Sequence, residues 1–158
     1  MIKVWSYTEE YKSLRKKILK SIDRTLKSGQ IFFGKELQKF EKQFIKKNNL
    51  KYGVAVGSGT DALYIALLGL GIKQNDEIIT VSNTAIPTVS AIKTCGAKVR
   101  FVDVGSDYLI KTDNIEKCIS KNTKAILVVN VLGNPNDFSR IHEIIDGENI
   151  IIIEDNCE

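Results

Sequence analysis

The chain has 158 residues, enough for one domain with a real core, and its 43% hydrophobic and 27% charged residues are ordinary for a soluble globular protein. Much of the net charge of +4 comes from lysines in the first fifty residues, but glutamates are interleaved and no aromatic groove accompanies them, so we expect a solvated helix face and no nucleic-acid partner. No apolar run approaches the roughly 20 residues that span a bilayer and no signal peptide is apparent, so no membrane partner is expected.

The cysteines indicate a reducing environment. The chain has an odd number of cysteines, Cys95, Cys118 and Cys157, which are widely spaced and form no CxxC pair. This pattern favours reduced thiols in a cytoplasm over disulfides or a zinc site, and no metal ligands are predicted.

Residues 1–50 predict an N-terminal helical arm. Thr8 can cap a helix that runs to about Lys27, with apolar residues at helical spacing and lysines opposite, and Ser28-Gly29 ends it. A second helix follows with Leu37, Phe40 and Phe44 on one side and ends at Asn48-Asn49.

From residue 51 onward the pattern alternates between strands and helices. A helix opened by Ser58 or Thr60 is apolar on nearly every side and is predicted to be well buried. The β-branched run at 149–153 lacks alternation, which predicts a strand buried on both faces. The predicted strands are 52–56, 77–81, 99–104, 125–131 and 149–153, and the predicted helices are 58–70, 87–95, 112–119 and 137–145.

Strands that alternate with helices imply right-handed βαβ units. We therefore predict the α/β class, with a mostly parallel sheet, helices on both faces, and one α/β domain over residues 51–158 behind the arm.

The first candidate site is the turn Val56-Gly57-Ser58-Gly59-Thr60-Asp61-Ala62, between a strand and a helix. Two glycines permit close approach of a ligand, and the first amides of a helix attract anions such as phosphate. A tight turn with a Ser or Thr cap explains the same residues equally well. The turn has neither a GxGxxG nor a GK[ST] pattern, so it is not a dinucleotide fingerprint or a Walker loop.

Two further polar stretches follow strands. The residues Ser82-Asn83-Thr84-Ala85-Ile86-Pro87-Thr88 either line a pocket or cap a helix, and capping is the favoured interpretation. The residues from Asn130 to Asp137 are turn formers, among which Asn130 alone is expected to face a cleft.

Asp155 lies at the carboxyl end of the last strand, the edge where ligands bind in open α/β sheets. It either caps the next element or pairs with a cationic group, and an acid beside a protonated ring nitrogen would make the ring a better electron sink. His142, the only histidine, is interpreted as a surface or packing residue.

Several stretches occur together in a characteristic order and spacing. They are Ser58-Gly59-Thr60-Asp61-Ala62-Leu63, Asp76-Glu77-Ile78-Ile79-Thr80, Ser82-Asn83-Thr84-Ala85-Ile86-Pro87-Thr88, residues 96–103 and Glu154-Asp155-Asn156-Cys157-Glu158. With them the whole chain resembles the N-terminal part of the DegT/DnrJ/EryC1/StrS sugar aminotransferases. These are pyridoxal 5'-phosphate (PLP) enzymes of the aspartate-aminotransferase fold, fold type I, so residues 51–158 would be part of the PLP-binding large domain.

The resemblance implies roles for five residues. Gly59 and Thr60 would hold the cofactor phosphate, and Asp155 would pair with the pyridine nitrogen. Ala85 stands where many members place an aromatic residue on the ring face, and Glu158 stands where the aminotransferases often have Gln near the phenolic oxygen. The implied partners are a nucleotide-linked keto sugar, an amino donor such as glutamate, and a second copy of the chain in a homodimer.

The resemblance leaves the reaction open. The stretches 130–136 and 154–158 look closer to the family's sugar 3-dehydratases, whereas 82–92 looks like the 3-keto-sugar aminotransferases. Catalysis in the family needs a Schiff-base lysine, or a histidine in the dehydratases, beyond the equivalent of Asp155, and no lysine here matches it. We therefore assign no catalytic residue. The chain is expected to be the front of an aminotransferase of amino-sugar and polysaccharide biosynthesis, inactive alone, with a 3-dehydratase portion or a truncated non-catalytic protein as alternatives.

Overall fold

The computed structural model describes residues 6–157. The first five residues, on which the search for a signal peptide depended, and the predicted site residue Glu158 lie outside this range. The chain divides into two compact units, Met1–Ala55 and Val56–Glu158. No helix within the described range is long and apolar enough to cross a bilayer.

The first unit contains the two predicted helices. Helix α1 spans Tyr7–Ser28 and ends at Gly29, whose φ of 68° is the left-handed conformation that glycine adopts at low cost. Helix α2 spans Lys35–Lys47, and neither helix has a buried residue. Arg24 of α1 and Glu36 of α2 form an ion pair of 3.1 Å.

The strand predicted at 52–56 is wrong. This segment has no regular structure, because no strand among the described residues lies beside it to pair with its backbone. The amide of Ala55 instead donates to Oε1 of Glu41 at 2.9 Å.

The second unit alternates helices and strands as predicted, with one difference. The helix expected over 112–119 is replaced by two separate 3₁₀ turns, Thr112–Asn114 and Glu116–Cys118. The regular elements are α3 (Gly59–Gly69), β1 (Glu77–Val81), α4 (Ile86–Thr94), β2 (Lys98–Val102), β3 (Thr123–Val129), α5 (Phe138–Ile144) and β4 (Ile151–Asp155).

The four strands form one sheet in the order β2-β1-β3-β4, and every pair is parallel. Successive residues of a strand point to opposite faces. Residues 78–81 of β1 and 125–128 of β3 are buried without interruption, so both faces of the central strands are covered. The predicted α/β class is therefore confirmed.

Strand β4 is less buried than its apolar sequence predicts. It pairs with β3 on one side and has no partner strand on the other within residues 6–157. Ile151 is 39% exposed, and Ile152 and Ile153 are partly buried. The expectation of burial on both faces is therefore wrong for this part of the chain.

Helix α3 also differs from its prediction. It packs on α4, and only Leu63 and Leu67 are buried. Ile65 and Leu68 are about half exposed. An apolar composition on every side therefore does not mean burial on every side, because the helix contacts the core through one face.

Candidate functional site

The carboxyl ends of the strands place the predicted polar residues along one edge of the sheet. Since all four strands are parallel, Ser82–Ala85 after β1, Asn130 after β3 and Asp155 at the end of β4 meet at this edge. Ligands of open α/β sheets bind at the same position. The arrangement therefore agrees with the sequence-based placement of these residues.

Asp155 is the buried acid of this edge, at 7% exposure. Its Oδ2 accepts a hydrogen bond from the hydroxyl of Thr88 at 3.3 Å, and its Oδ1 accepts one from the backbone N–H of Cys157 at 3.1 Å. A carboxylate offers about four acceptor positions, so these two bonds leave room for a further donor.

The stretch 82–88 does not cap α4 through its side chains. Ala85 is the N-cap residue, and no side chain satisfies the helix amides there. The hydroxyls of Thr84 and Thr88 instead form a chain to Asp155, because they lie 2.8 Å apart and Thr88 contacts the carboxylate. The favoured capping interpretation is therefore wrong for this stretch. Sequence reasoning included Thr88 in this stretch but did not predict its contact with Asp155, because the two residues are far apart in the chain.

The N-terminus of α3 combines both interpretations of its turn. Ser58 is the N-cap, and its hydroxyl oxygen accepts from the amide of Asp61 at 3.1 Å. The amides of Gly59 and Thr60 precede the first intrahelical bond and have no acceptor among residues 6–157. Both residues are exposed, so the capped turn still presents two amides to an anion.

Gly59 lies where helix α3 meets the segment that follows Asp155. A Cβ on Gly59 would lie 2.8 Å from Sγ of Cys157, two residues beyond Asp155. A contact this short requires a residue without a side chain, or a movement of the thiol. The structure therefore brings the predicted phosphate position and the predicted acid to one edge.

Asn130 lies at the same edge, but its side chain is bonded within the protein. Its Nδ2 donates to Glu154 Oε1 at 2.7 Å and to Asn156 Oδ1, and its Oδ1 accepts from the backbone N–H and the Nδ2 of Asn136. Asn130 and Asn136 are both buried. This cluster fixes the residues on either side of Asp155, and Asn136 was missed because its sequence context is that of a turn.

The remaining predicted residues are placed as follows. Ala85 is exposed at the start of α4, three residues before Thr88. His142 is exposed on α5, in agreement with its interpretation as a surface residue.

These residues fit the cofactor that the resemblance implies. Exposed amides at the N-terminus of α3 suit a phosphate group, and a buried carboxylate with unused acceptor positions suits a protonated ring nitrogen. Ala85, which is exposed at the same edge, leaves space for a flat ring.

Comparison with known proteins shows that the chain is similar to parts of sugar-modifying enzymes. The model of the DegT/DnrJ/EryC1/StrS aminotransferase family matches residues 12–158. A dTDP-3-amino-3,4,6-trideoxy-alpha-D-glucose transaminase of Micromonospora megalomicea subsp. nigra is 38% identical over 96% of this chain and 41% of its own length.

Two solved structures are similar as well. S. venezuelae DesV in complex with a ketimine intermediate has a TM-score of 0.91 and 35% identity, over 94% of this chain and 40% of that one. A GDP-4-keto-6-deoxymannose-3-dehydratase with a trapped PLP-glutamate geminal diamine has a TM-score of 0.84 and 36% identity, over 89% of this chain and 38% of that one. The chain thus spans about two fifths of the length of these relatives.

Proposed function

Because the chain belongs to the DegT/DnrJ/EryC1/StrS aminotransferase family, which is PLP-dependent, we propose that its carboxyl sheet edge binds PLP in an enzyme that aminates a nucleotide-linked keto sugar. The observation that supports this most directly is the buried Asp155, held at the end of β4 beside the N-terminus of α3.

Each residue of the edge has a proposed part in holding the cofactor. The amides of Gly59 and Thr60 bind the phosphate, since they lack acceptors in the described part of the chain and carry the positive end of the helix dipole. Asp155 accepts a hydrogen bond from the pyridine nitrogen and keeps a proton on that atom. Ala85 would pack on the ring face. The resemblance also implies a place near the phenolic oxygen for Glu158, which lies outside the described residues. Bound PLP supplies an electron sink for charge that develops next to the transferred nitrogen.

The substrate proposal follows the relatives. The Micromonospora relative is a transaminase of a dTDP-linked sugar, and the dehydratase structure holds PLP with glutamate. We therefore propose a nucleotide-linked keto sugar as acceptor and glutamate as amino donor. We also propose that the protein forms a homodimer. The exposed Ile65 and Leu68 of α3 support this proposal. Light scattering of the purified protein tests it.

The test uses protein produced from the complete coding region. Titration with PLP should give a saturable absorbance change, and incubation with glutamate and a nucleotide-linked keto sugar should give an amino sugar detected by mass spectrometry. If PLP does not bind, or if no keto sugar is aminated, the proposal is wrong.

A 3-dehydratase is the second candidate. It is favoured by the cluster of Asn130, Glu154 and Asn156, which lies in the two stretches that resemble the dehydratases, and by the 36% identity to the dehydratase structure. Mass spectrometry separates the two reactions, because a dehydratase product has lost water and gained no nitrogen. A lysine at the Schiff-base position in the complete coding region would exclude the dehydratase, and a histidine would support it.

A further inference from the structure

We propose that Thr88 is a positioning residue for Asp155, and that its hydroxyl, oriented by Thr84, holds the carboxylate toward the ring nitrogen of the cofactor. The inference rests on the proposed function, since the ring nitrogen is the group that the held carboxylate would meet. Thr88 is proposed to act through Asp155 and not by contact with the cofactor.

The contact joins two elements that are distant in sequence. Thr88 lies in the first turn of α4 and Asp155 at the end of β4, and the two residues are 67 positions apart. Thr88 is 1% exposed, so water does not compete for its hydroxyl. At 3.3 Å the bond is longer than the ~2.7 Å common for hydroxyl donors.

The direction of the hydrogen bonds is fixed by counting protons. A threonine hydroxyl has one hydrogen, and that of Thr88 is given to Oδ2 of Asp155. The 2.8 Å contact between the two threonines therefore requires Thr84 to donate to Oγ1 of Thr88. The result is a chain of two donors that ends on the carboxylate, in which each bond strengthens the next.

The experiment must distinguish the positioning of Asp155 by Thr88 from a purely structural role of this threonine. Thr80 provides the comparison. Thr80 is also a fully buried threonine of the same unit, and its hydroxyl donates to the carbonyl of Leu127 at 2.8 Å. Among the described residues, its hydroxyl makes no hydrogen bond to Asp155. Replacement by valine keeps the shape of either side chain. It removes one buried hydrogen bond at Thr80, and at Thr88 it removes both the bond to Asp155 and the bond from Thr84.

The experiment measures binding of PLP and of its 1-deaza analogue, which has a C–H group in place of the ring nitrogen, to protein from the complete coding region. Thr88→Val should weaken PLP binding about tenfold, the effect of one hydrogen bond to a charged group. It should leave binding of the deaza analogue unchanged, because the analogue has no ring nitrogen for Asp155 to meet. Thr88→Ser should restore PLP binding, and Thr80→Val should alter neither ligand.

Thr84→Val provides a second test should Thr88→Val fold poorly. It removes only the outer donor, so we expect PLP binding to weaken about threefold with the bond to Asp155 still present. Unchanged PLP binding in both valine variants, or an equal loss for PLP and the analogue, would overturn the positioning role while the proposed function stands. A wild-type protein that binds PLP no better than the analogue would refute the contact between Asp155 and the ring nitrogen, and with it the positioning role. The proposed function would then be judged separately, by PLP binding and by amination of the keto sugar.

Discussion

Sγ of Cys157 lies 2.8 Å from the position that a Cβ on Gly59 would occupy, so the first residue of α3 and the chain just after β4 are in direct contact. Gly59 carries one of the two amides proposed to bind the phosphate, and Cys157 lies two residues beyond the acid Asp155. A substitution at either residue should therefore alter ligand binding at the proposed cofactor site.

The first prediction concerns Gly59→Ala. The added methyl group must displace the Cys157 thiol, so we expect weaker binding of PLP and of inorganic phosphate, measured by titration. Gly69→Ala at the other end of the same helix is the control, since nothing lies within 4 Å of its Cβ position. That variant should gain up to about 1 kcal/mol in free energy of unfolding from helix propensity and leave binding unchanged.

A double variant locates the cause of the Gly59→Ala effect. If the thiol is the obstacle, Cys157→Ala combined with Gly59→Ala should recover most of the lost affinity. Equal affinity of the single and double variants would show that the methyl group blocks the ligand itself rather than displacing Cys157.

The second prediction concerns Asp155→Asn. The amide keeps the shape of the side chain but loses the negative charge. Thr88 and the Cys157 amide donate to different oxygens of Asp155, so the single carbonyl oxygen of asparagine can keep only one of these two bonds. We expect PLP affinity to fall by about 10- to 100-fold, the range for hydrogen bonds to a charged group. Glu154→Gln is the matched control, because the neighbouring side chain points to the other face of β4 and Gln can still accept from Asn130. Equal losses in both variants would contradict a specific role for Asp155.

The third prediction concerns the Asn130 cluster. Asn130→Ala leaves the backbone N–H of Asn136 without its acceptor and Glu154 without its donor. The Nδ2 of Asn136 also loses one acceptor and keeps the carbonyl of Val129. Unsatisfied buried polar groups are costly, so we expect a loss of about 2–4 kcal/mol in free energy of unfolding, measured by urea denaturation. Asn134→Ala in the same loop removes one exposed bond of 3.5 Å and should change stability by less than about 0.5 kcal/mol. A neutral Asn130→Ala would show that the cluster is not needed to hold the end of β4.

The central strands and the position of the site could be predicted from local sequence. Residues 78–81 and 125–128 are apolar or small without interruption, which is typical of strands covered on both faces, and parallel strands bring their carboxyl ends together. Asp155 was therefore found from its position after an apolar run. The Ser58 cap was also predictable, because capping depends on residues within one helical turn.

What could not be predicted depends on groups far apart in sequence. The hydrogen bond between Thr88 and Asp155 joins two elements whose proximity is set by the order of the strands. Burial of β4 and α3 likewise depends on what packs beside them and not on their own composition. The prediction of a strand at 52–56 is wrong for the same reason, since a strand requires a partner strand.

The fourth prediction concerns pH. Partial burial raises the pKa of the Cys95 thiol above its ordinary value of 9.0, because the thiolate is poorly solvated there. Alkylation of Cys95 should therefore have a midpoint above pH 9 in the folded protein and return to the ordinary value in denaturant. By linkage, the unfolded chain loses this proton first, so the Cys95 contribution to stability is intact below pH 9 and is lost as pH rises through the folded pKa. A midpoint that is the same in the folded and denatured protein would contradict this.

The last prediction compares two neighbouring leucines of α3. Leu67 is fully buried, whereas Leu68 is 47% exposed, although the sequence gives no reason to distinguish them. Leu67→Ala should cost about 2–5 kcal/mol in free energy of unfolding, and Leu68→Ala less than about 1 kcal/mol, since a half-exposed side chain leaves no cavity. If Leu68→Ala proves as costly as Leu67→Ala, and the cost depends on protein concentration, then the exposed face of α3 is covered by a second copy of the protein. A large cost that does not depend on concentration would instead place another segment of the same protein against this face.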